Sequence, residues 1–174
     1  MKINVAQLLK EQSGFTKEYD LHEEISALDP EITPLSALTG QVQLIRTSDG
    51  LYALGTLRTN LELECSRCLD PFSFPLKFQL EEEFRPSIDI STGASLPSAE
   101  DDETATRIDA HHILDLTEVM RQNILLAMPP HPICRSNCAG LCPVCGQNLH
   151  DNPHEHENDE IDPRLEVLKQ LLKK

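Results

Sequence analysis

Leu57-Arg58-Thr59-Asn60-Leu61-Glu62-Leu63-Glu64-Cys65-Ser66-Arg67-Cys68-Leu69-Asp70-Pro71-Phe72-Ser73-Phe74-Pro75-Leu76-Lys77-Phe78-Gln79-Leu80 decides the fold. Leu57, Thr59, Leu61 and Leu63 alternate with Arg58, Asn60, Glu62 and Glu64, and Phe72, Phe74, Leu76, Phe78 and Leu80 alternate again beyond Pro71. Strand side chains point to opposite faces with a period of two, so each run has one core face and one wet face, as in antiparallel sheets. The Cys65-Ser66-Arg67-Cys68 step therefore lies at the tip of a strand–turn–strand unit.

Working outward, Val42 and Leu44 alternate with Gln41 and Gln43, and Thr47-Ser48-Asp49-Gly50 reads as a hairpin turn into Leu51-Tyr52-Ala53-Leu54. Gly55 inside that run predicts a bulge. Towards the N-terminus, Ile3 and Val5 mark a short strand, Ala6 to Gln12 one or two helical turns ended by Gly14, and Phe15, Tyr19 and Leu21 another extended piece. Asp29-Pro30 and Thr33-Pro34 make the next connection irregular.

Towards the C-terminus, residues 86–107 carry Ser, Thr, Gly, Pro and the acidic run Glu100-Asp101-Asp102-Glu103, and read as a mobile, solvated loop. Asp115, with Glu118 three residues on, forms a capping-box pattern for a helix over 115–128. Its Leu116, Val119, Met120, Asn123, Ile124 and Ala127 share a face, and Pro129-Pro130 stops it. Asp162-Pro163 starts a last helix with Leu165, Leu168, Leu171 and Leu172 on one side, and Lys169, Lys173 and Lys174 where the dipole favours cations.

Between these helices stands Cys134-Arg135-Ser136-Asn137-Cys138-Ala139-Gly140-Leu141-Cys142-Pro143-Val144-Cys145-Gly146. The Cys-Pro-Val-Cys-Gly step suits a metal knuckle. Pro143 stiffens the turn, Gly146 lets the backbone turn on, and N–H groups aimed at sulfur favour thiolate. Four thiolates around zinc hold a segment that has too few apolar residues to hold itself. Such a site has no open coordination position and is structural. Disulfides and unused free thiols are the plain alternatives.

The chain has 174 residues, six cysteines, 29 acidic and 15 basic residues, and a formal net charge of −14. That length gives one domain with an appendage. The charge speaks against a broad phosphate-binding surface and favours basic partners, with simple solubility as the plainer explanation. No apolar run reaches the ~18 residues of a membrane span, and Met1-Lys2-Ile3-Asn4-Val5 lacks a secretory h-region, so the expected compartment is the reducing cytoplasm. There, paired cysteines bind metal or do redox chemistry. No Walker loop, G-x-G-x-x-G, His-Glu-x-x-His or G-x-S-x-G is present, and His111-His112 reads as a surface pair. The expectation is a binding protein, not an enzyme.

Cys65-Ser66-Arg67-Cys68-Leu69-Asp70-Pro71-Phe72 at a hairpin tip, Gly140-Leu141-Cys142-Pro143-Val144-Cys145-Gly146-Gln147-Asn148-Leu149, and Asp162-Pro163-Arg164-Leu165 together resemble the YceD-like family, described as large ribosomal RNA subunit accumulation proteins. The resemblance covers essentially the whole chain. It implies a cytoplasmic, non-enzymatic factor supporting accumulation of large-subunit rRNA, and it supplies no mechanism. Many relatives follow the knuckle with Cys-x-Cys, where this chain has Asn152-Pro153-His154-Glu155-His156. Histidine can replace cysteine on zinc, so His154 and His156 are either substituted ligands or surface residues.

Three ligand sets follow. Cys134, Cys138, Cys142 and Cys145 come first, because closing short loops costs little entropy. The second is a split ribbon of Cys65 and Cys68 with Cys142 and Cys145. The third is Cys142, Cys145, His154 and His156. Read as a thioredoxin-type pair, Cys65 and Cys68 lack a following helix. The predicted architecture is α+β: a mainly antiparallel sheet with scope to curl into a barrel and a packed helix over 1–130, a Cys-rich zinc-binding segment over 131–160, and a helix over 161–174. The expected partner is a large-subunit precursor or a basic ribosomal or assembly protein. Direct rRNA contact stays open through Arg67, Arg135 or the terminal lysines, and net charge disfavours it. A thiol redox or metal-sensing protein is the competing class.

Overall fold

The computed structural model describes residues 1–97 and 106–156. In chain order its elements are β1 (Lys2–Asn4), α1 (Ala6–Leu9), β2 (Thr16–Glu23), β3 (Leu38–Arg46), β4 (Leu51–Glu64), β5 (Pro71–Pro86), β6 (Arg107–Ile108), β7 (Ile113–Asp115) and α2 (Thr117–Ala127). Strands β2 to β6 form one sheet in sequence order, while β1 and β7 pair in a separate two-stranded ribbon. The pairs from β2 to β5 are antiparallel, but β6 runs parallel to the end of β5, matching Arg85 to Arg107 and Pro86 to Ile108. The sheet is therefore mixed. It is also open, with β2 and β6 as its ends, so the curl stops short of a barrel.

The alternation explains the layering. Leu51, Ala53, Leu57 and Leu61 of β4, Leu76, Leu80 and Phe84 of β5, and Val42 and Leu44 of β3 are buried on one face. Val119, Met120 and Ile124 of α2 join the same core. Burying each of these side chains stabilises by roughly 1.5–3 kcal/mol. On the other face, Thr56, Arg58, Lys77 and Gln79 are exposed.

Two local expectations differ from the structure. Gly55 makes no bulge: Val42, Gly55 and Leu80 sit opposite one another in ladders without a slip. The glycine answers a close approach instead, since a Cβ there would stand 2.7 Å from the Gln41 carbonyl oxygen and 3.0 Å from Val42 Cγ2. Nor does Asp115 cap α2 through a capping box. It ends β7, and its carboxylate accepts bonds from the Thr117 N–H (3.0 Å) and hydroxyl (2.6 Å). Glu118 turns to Arg121 and Gln122 rather than back to the first turn.

Part of the expected loop at 86–107 is organised. Ile88 bridges Ser95, and the Asp89 carboxylate accepts the N–H groups of Ser91 and Thr92. The acidic run Glu100 to Glu103 and the helix expected over 161–174 lie outside the described residues.

Arg121 ties α2 to the irregular connection before β3. Its guanidinium meets Asp29 Oδ2 at 2.9 Å and both Glu118 oxygens, at 2.7 and 2.9 Å. The Glu31 N–H and Arg121 hold the Asp29 carboxyl below its ordinary range, and Arg121 does the same for Glu118. A depressed carboxylate contributes stability above its unfolded pKa and loses it as pH falls through the folded one. Arg121→Gln is therefore expected to destabilise at pH 7, with the gap to wild type closing as pH drops below about 4. Urea unfolding of both proteins across pH checks this, and a gap that does not change with pH contradicts it.

Candidate metal centre

The β4–β5 turn closes as a knuckle. Cys65 N–H donates to the Asp70 carbonyl (3.0 Å), and Leu69 N–H donates to the Cys65 carbonyl (2.9 Å). The same two bonds recur downstream, from Cys142 N–H to Gln147 (2.8 Å) and from Gly146 N–H to Cys142 (2.8 Å). The residue after the second cysteine has a left-handed backbone in both, at φ 63° for Leu69 and φ 72° for Gly146. Glycine adopts that conformation freely and leucine does not, so the first knuckle carries local strain that the second avoids.

Each knuckle faces a different pair of ligands. The donor atoms of Cys65, Cys68, Cys134 and Cys138 lie within 4.8 Å of one another, and so do those of Cys142, Cys145, His154 and His156. In the first group, Cys65 Sγ is 3.8 Å from Cys138 Sγ, and Cys68 Sγ is 3.8 Å from Cys134 Sγ. A tetrahedron with metal–sulfur arms of ~2.3 Å has edges of ~3.8 Å, whereas a disulfide needs ~2.05 Å. All six thiols are free. Both groups therefore fit a four-coordinate metal ion, and their sulfur and imidazole donors are compatible with zinc.

The all-cysteine group is enclosed, with Cys65, Cys68 and Cys138 buried and Phe72 packed against them. The N–H groups of Cys134, Cys68 and Arg67 aim at the Cys65 sulfur and bring its pKa down to about 6. The Asp70 N–H favours the Cys68 thiolate, but burial and the neighbouring thiols outweigh it and push that thiol up. Burial and its neighbours also raise Cys134. One thiolate forms readily here, and the next ones require a cation among them.

The second group is more open, and Cys145 is exposed. The Cys145 N–H is the main influence bringing Cys142 down to about 6. His154 Nδ1 lies 2.7 Å from the Asn152 carbonyl, a contact only an N–H can make, which leaves Nε2 facing Cys145 Sγ at 3.1 Å. That tautomer presents a lone pair to a metal. The His156 ring meets the His154 ring edge-on at 4.8 Å.

The structure does not bring Cys134, Cys138, Cys142 and Cys145 into one site, nor Cys65 and Cys68 together with Cys142 and Cys145. It groups the third set, and adds a partnership of Cys65 and Cys68 with Cys134 and Cys138. The backbone explains the division. Ser66 N–H donates to Pro132, Leu141 N–H donates to Arg67, and the Arg67 guanidinium bonds the Cys138 carbonyl at 3.0 Å. The chain is thus laid across the hairpin tip from residue 132 to 141, delivering Cys134 and Cys138 to it and carrying Cys142 past it. Sequence proximity argues only from loop entropy. Closing a loop of some 70 residues instead of 10 costs only about 2 kcal/mol more, and the sheet and α2 already place both ends.

Sequence reasoning missed His150. Its Nε2 accepts the Ala139 N–H at 3.3 Å and stands 3.2 Å from Cys138 Sγ, beside the all-cysteine group. No ligand spacing marks it.

Two predictions follow from this geometry. Elemental analysis of anaerobically purified protein should find two zinc ions per chain, one lost in Cys65→Ser or Cys134→Ser and the other in Cys142→Ser. A single ion lost in both Cys134→Ser and Cys142→Ser contradicts this division. Metal-bound imidazole must be neutral, and the Asn152 carbonyl and the Cys142 sulfur raise the His154 pKa, so acidification should empty the cysteine–histidine site before the all-cysteine site. Release followed with a chromogenic chelator should be biphasic in the wild type and lose its first phase in His154→Ala.

Residues 53–172, more than half of the chain, match the family described as "Large ribosomal RNA subunit accumulation protein YceD". The chain is 27% identical to "Uncharacterized protein Rv2926c" of Mycobacterium tuberculosis, over 99% of this chain and 81% of that one. It is 26% identical to "Uncharacterized protein YlbN" of Bacillus subtilis, over 96% and 92%. It is 30% identical to the chloroplastic "Large ribosomal RNA subunit accumulation protein YCED homolog 1" of Zea mays, over 67% of this chain and 47% of that one. No solved structure matches. Both C-x2-C knuckles fall inside the matched residues, and the chain belongs to the YceD family of large ribosomal RNA subunit accumulation proteins.

Proposed function

We propose that this chain is a non-enzymatic, cytoplasmic factor in large ribosomal subunit biogenesis that supports accumulation of large-subunit rRNA. Membership of the YceD family carries the reading. A structural role for zinc fits it, because each group supplies four protein donors and leaves no coordination position for a substrate. The metals fix the shape of a docking module, and partners read that shape. With a net charge of −14, the main partner is a basic ribosomal or assembly protein on the large-subunit precursor. No described helix is long and apolar enough to cross a membrane.

Cys65, with its pKa near 6, is the observation that favours the competing redox reading. That sulfur is fully buried, however, and strand β5 follows the pair where a redox motif needs a helix N-terminus. Depletion followed by gradient sedimentation discriminates between them. The ribosomal reading expects less large-subunit rRNA relative to small-subunit rRNA and accumulation of large-subunit precursors. A normal profile, with reversible thiol oxidation at a defined potential, supports the redox reading instead.

A further inference from the structure

The outer face of the sheet carries a row of basic residues that the metal groups do not involve. The register places His22 of β2 opposite Thr39 of β3, Thr39 opposite Arg58 of β4, and Arg58 opposite Lys77 of β5. Arg58 and Lys77 are thus directly cross-strand, with Cβ atoms about 5 Å apart, an arrangement in which like charges repel. In a chain with 29 acidic and 15 basic residues, carboxylates to relieve that repulsion are plentiful. Yet among the described residues neither cation has an ion pair or a side-chain hydrogen bond.

The nearest same-face carboxylates are Asp20, two residues from His22 on β2, Glu62, four residues from Arg58, and Glu81, four residues from Lys77. At ~3.4 Å per residue and ~4.8 Å between strands, Glu62 and Glu81 are ~14 Å and Asp20 ~12 Å from the nearer cation, beyond the ~8–10 Å over which charge is felt in physiological salt. Around Arg58 and Lys77 the local field is therefore positive on a negative molecule, whereas the His22 end of the row has Asp20 beside it.

The two cations also border a cleft of about 300 Å³ with Ser36, Thr39, Thr59 and Asn60, and no carboxylate lines it. The Ser36 hydroxyl accepts the Asn60 N–H at 2.9 Å, while Thr59 donates its own hydroxyl to the Ser36 carbonyl at 2.8 Å. The Ser36 proton and the Asn60 amide have only contacts of 3.5 Å, too long for strong bonds. Two cations with spare hydroxyl and amide donors, and no carboxylate among them, make an anion site. On its other side the same row opens into a concavity of about 960 Å³ lined by Gln41, Gln43 and Gln79 and, farther from the two cations, by Glu18, Asp20 and Glu81. Those carboxylates repel an anion from the rest of the concavity and confine it to the edge along Arg58 and Lys77.

We infer that Arg58 and Lys77 form a phosphodiester contact site for single-stranded RNA, with the strand crossing the outer face of the sheet over the carboxylate-free cleft beside these two residues. This rests on the ribosomal reading and adds a direct contact with RNA to it. The net charge excludes a broad basic footprint, and a contact of two phosphates in a locally positive cleft needs none.

The test uses the full, zinc-loaded chain and a labelled single-stranded RNA 12-mer, with binding followed by fluorescence anisotropy. Arg58→Gln/Lys77→Gln should weaken binding at least tenfold at low salt. It should also reduce the slope of log K against log salt by about 1.4, the contribution of two contacts on a single strand. Lys10→Gln/Lys17→Gln removes the same charge elsewhere and should change affinity less than twofold. An unchanged slope in the first variant, or equal losses in both, overturns the inference. Both substitutions of the first variant are on exposed side chains and remove a repulsion, so its Tm should equal or exceed that of wild type. In depleted cells, full restoration of large-subunit rRNA by Arg58→Gln/Lys77→Gln overturns the RNA contact and leaves the ribosomal reading intact. Depletion that leaves the rRNA unchanged overturns the ribosomal reading itself.

Discussion

The contact on which the rest depends is the meeting of four cysteine sulfurs at the tip of the β4–β5 hairpin. Cys65 and Cys68 come from the turn between the two longest strands, and Cys134 and Cys138 come from the segment that follows α2. Packed this closely and largely buried, the thiols ionise together only around a cation. The backbone bonds that lay residues 132–141 across the tip are few and lie near the surface, so they hold best when the sulfurs are fixed. A metal held by these sulfurs would do for this junction what an apolar core does elsewhere. The junction also sets the position of the second knuckle, because Leu141 N–H is anchored on the Arg67 carbonyl one residue before Cys142.

Much of this was legible in the sequence, and the limits have physical causes. Period-two alternation from Leu57 to Leu80 marks a hairpin because one face is wet and the other buried along its whole length. The Cys-Pro-Val-Cys-Gly knuckle announces itself through Gly146, which the turn needs. The hairpin knuckle makes the same turn with Leu69 in the left-handed region, and no sequence pattern signals a leucine held there. Ligand partnership was legible only in part: the set of Cys142, Cys145, His154 and His156 is readable from the sequence, whereas the partnership of Cys65 and Cys68 with Cys134 and Cys138 is not. Loop entropy changes only with the logarithm of loop length, so nearness in sequence is a weak guide once a sheet and a helix have brought distant cysteines together. The Gly55 bulge and the Asp115 capping box failed for a related reason: each motif has a second use, close backbone approach for glycine and a short Asx turn for aspartate, and packing chooses between them.

Charge divides the molecule's surfaces by task. A field of −14 repels nucleic acid at long range and attracts basic proteins. At contact distance, screening makes local composition decisive, and the row through Arg58 and Lys77 is locally opposite in sign to the whole. The sheet holds that row rigidly because its other face is the core. The metal groups sit at the end of the same β4–β5 hairpin, so one long hairpin carries both the junction with the tail and the outer polar face.

The most direct test of the shared thiolate junction is cadmium substitution read by ¹¹³Cd–¹H correlation NMR, which reports the cysteine β-protons coupled to each metal. Two cadmium signals are expected. One should couple to Cys65, Cys68, Cys134 and Cys138, and the other to Cys142, Cys145 and the rings of His154 and His156. A signal coupled jointly to Cys134, Cys138, Cys142 and Cys145, with Cys65 and Cys68 uncoupled, would contradict the account.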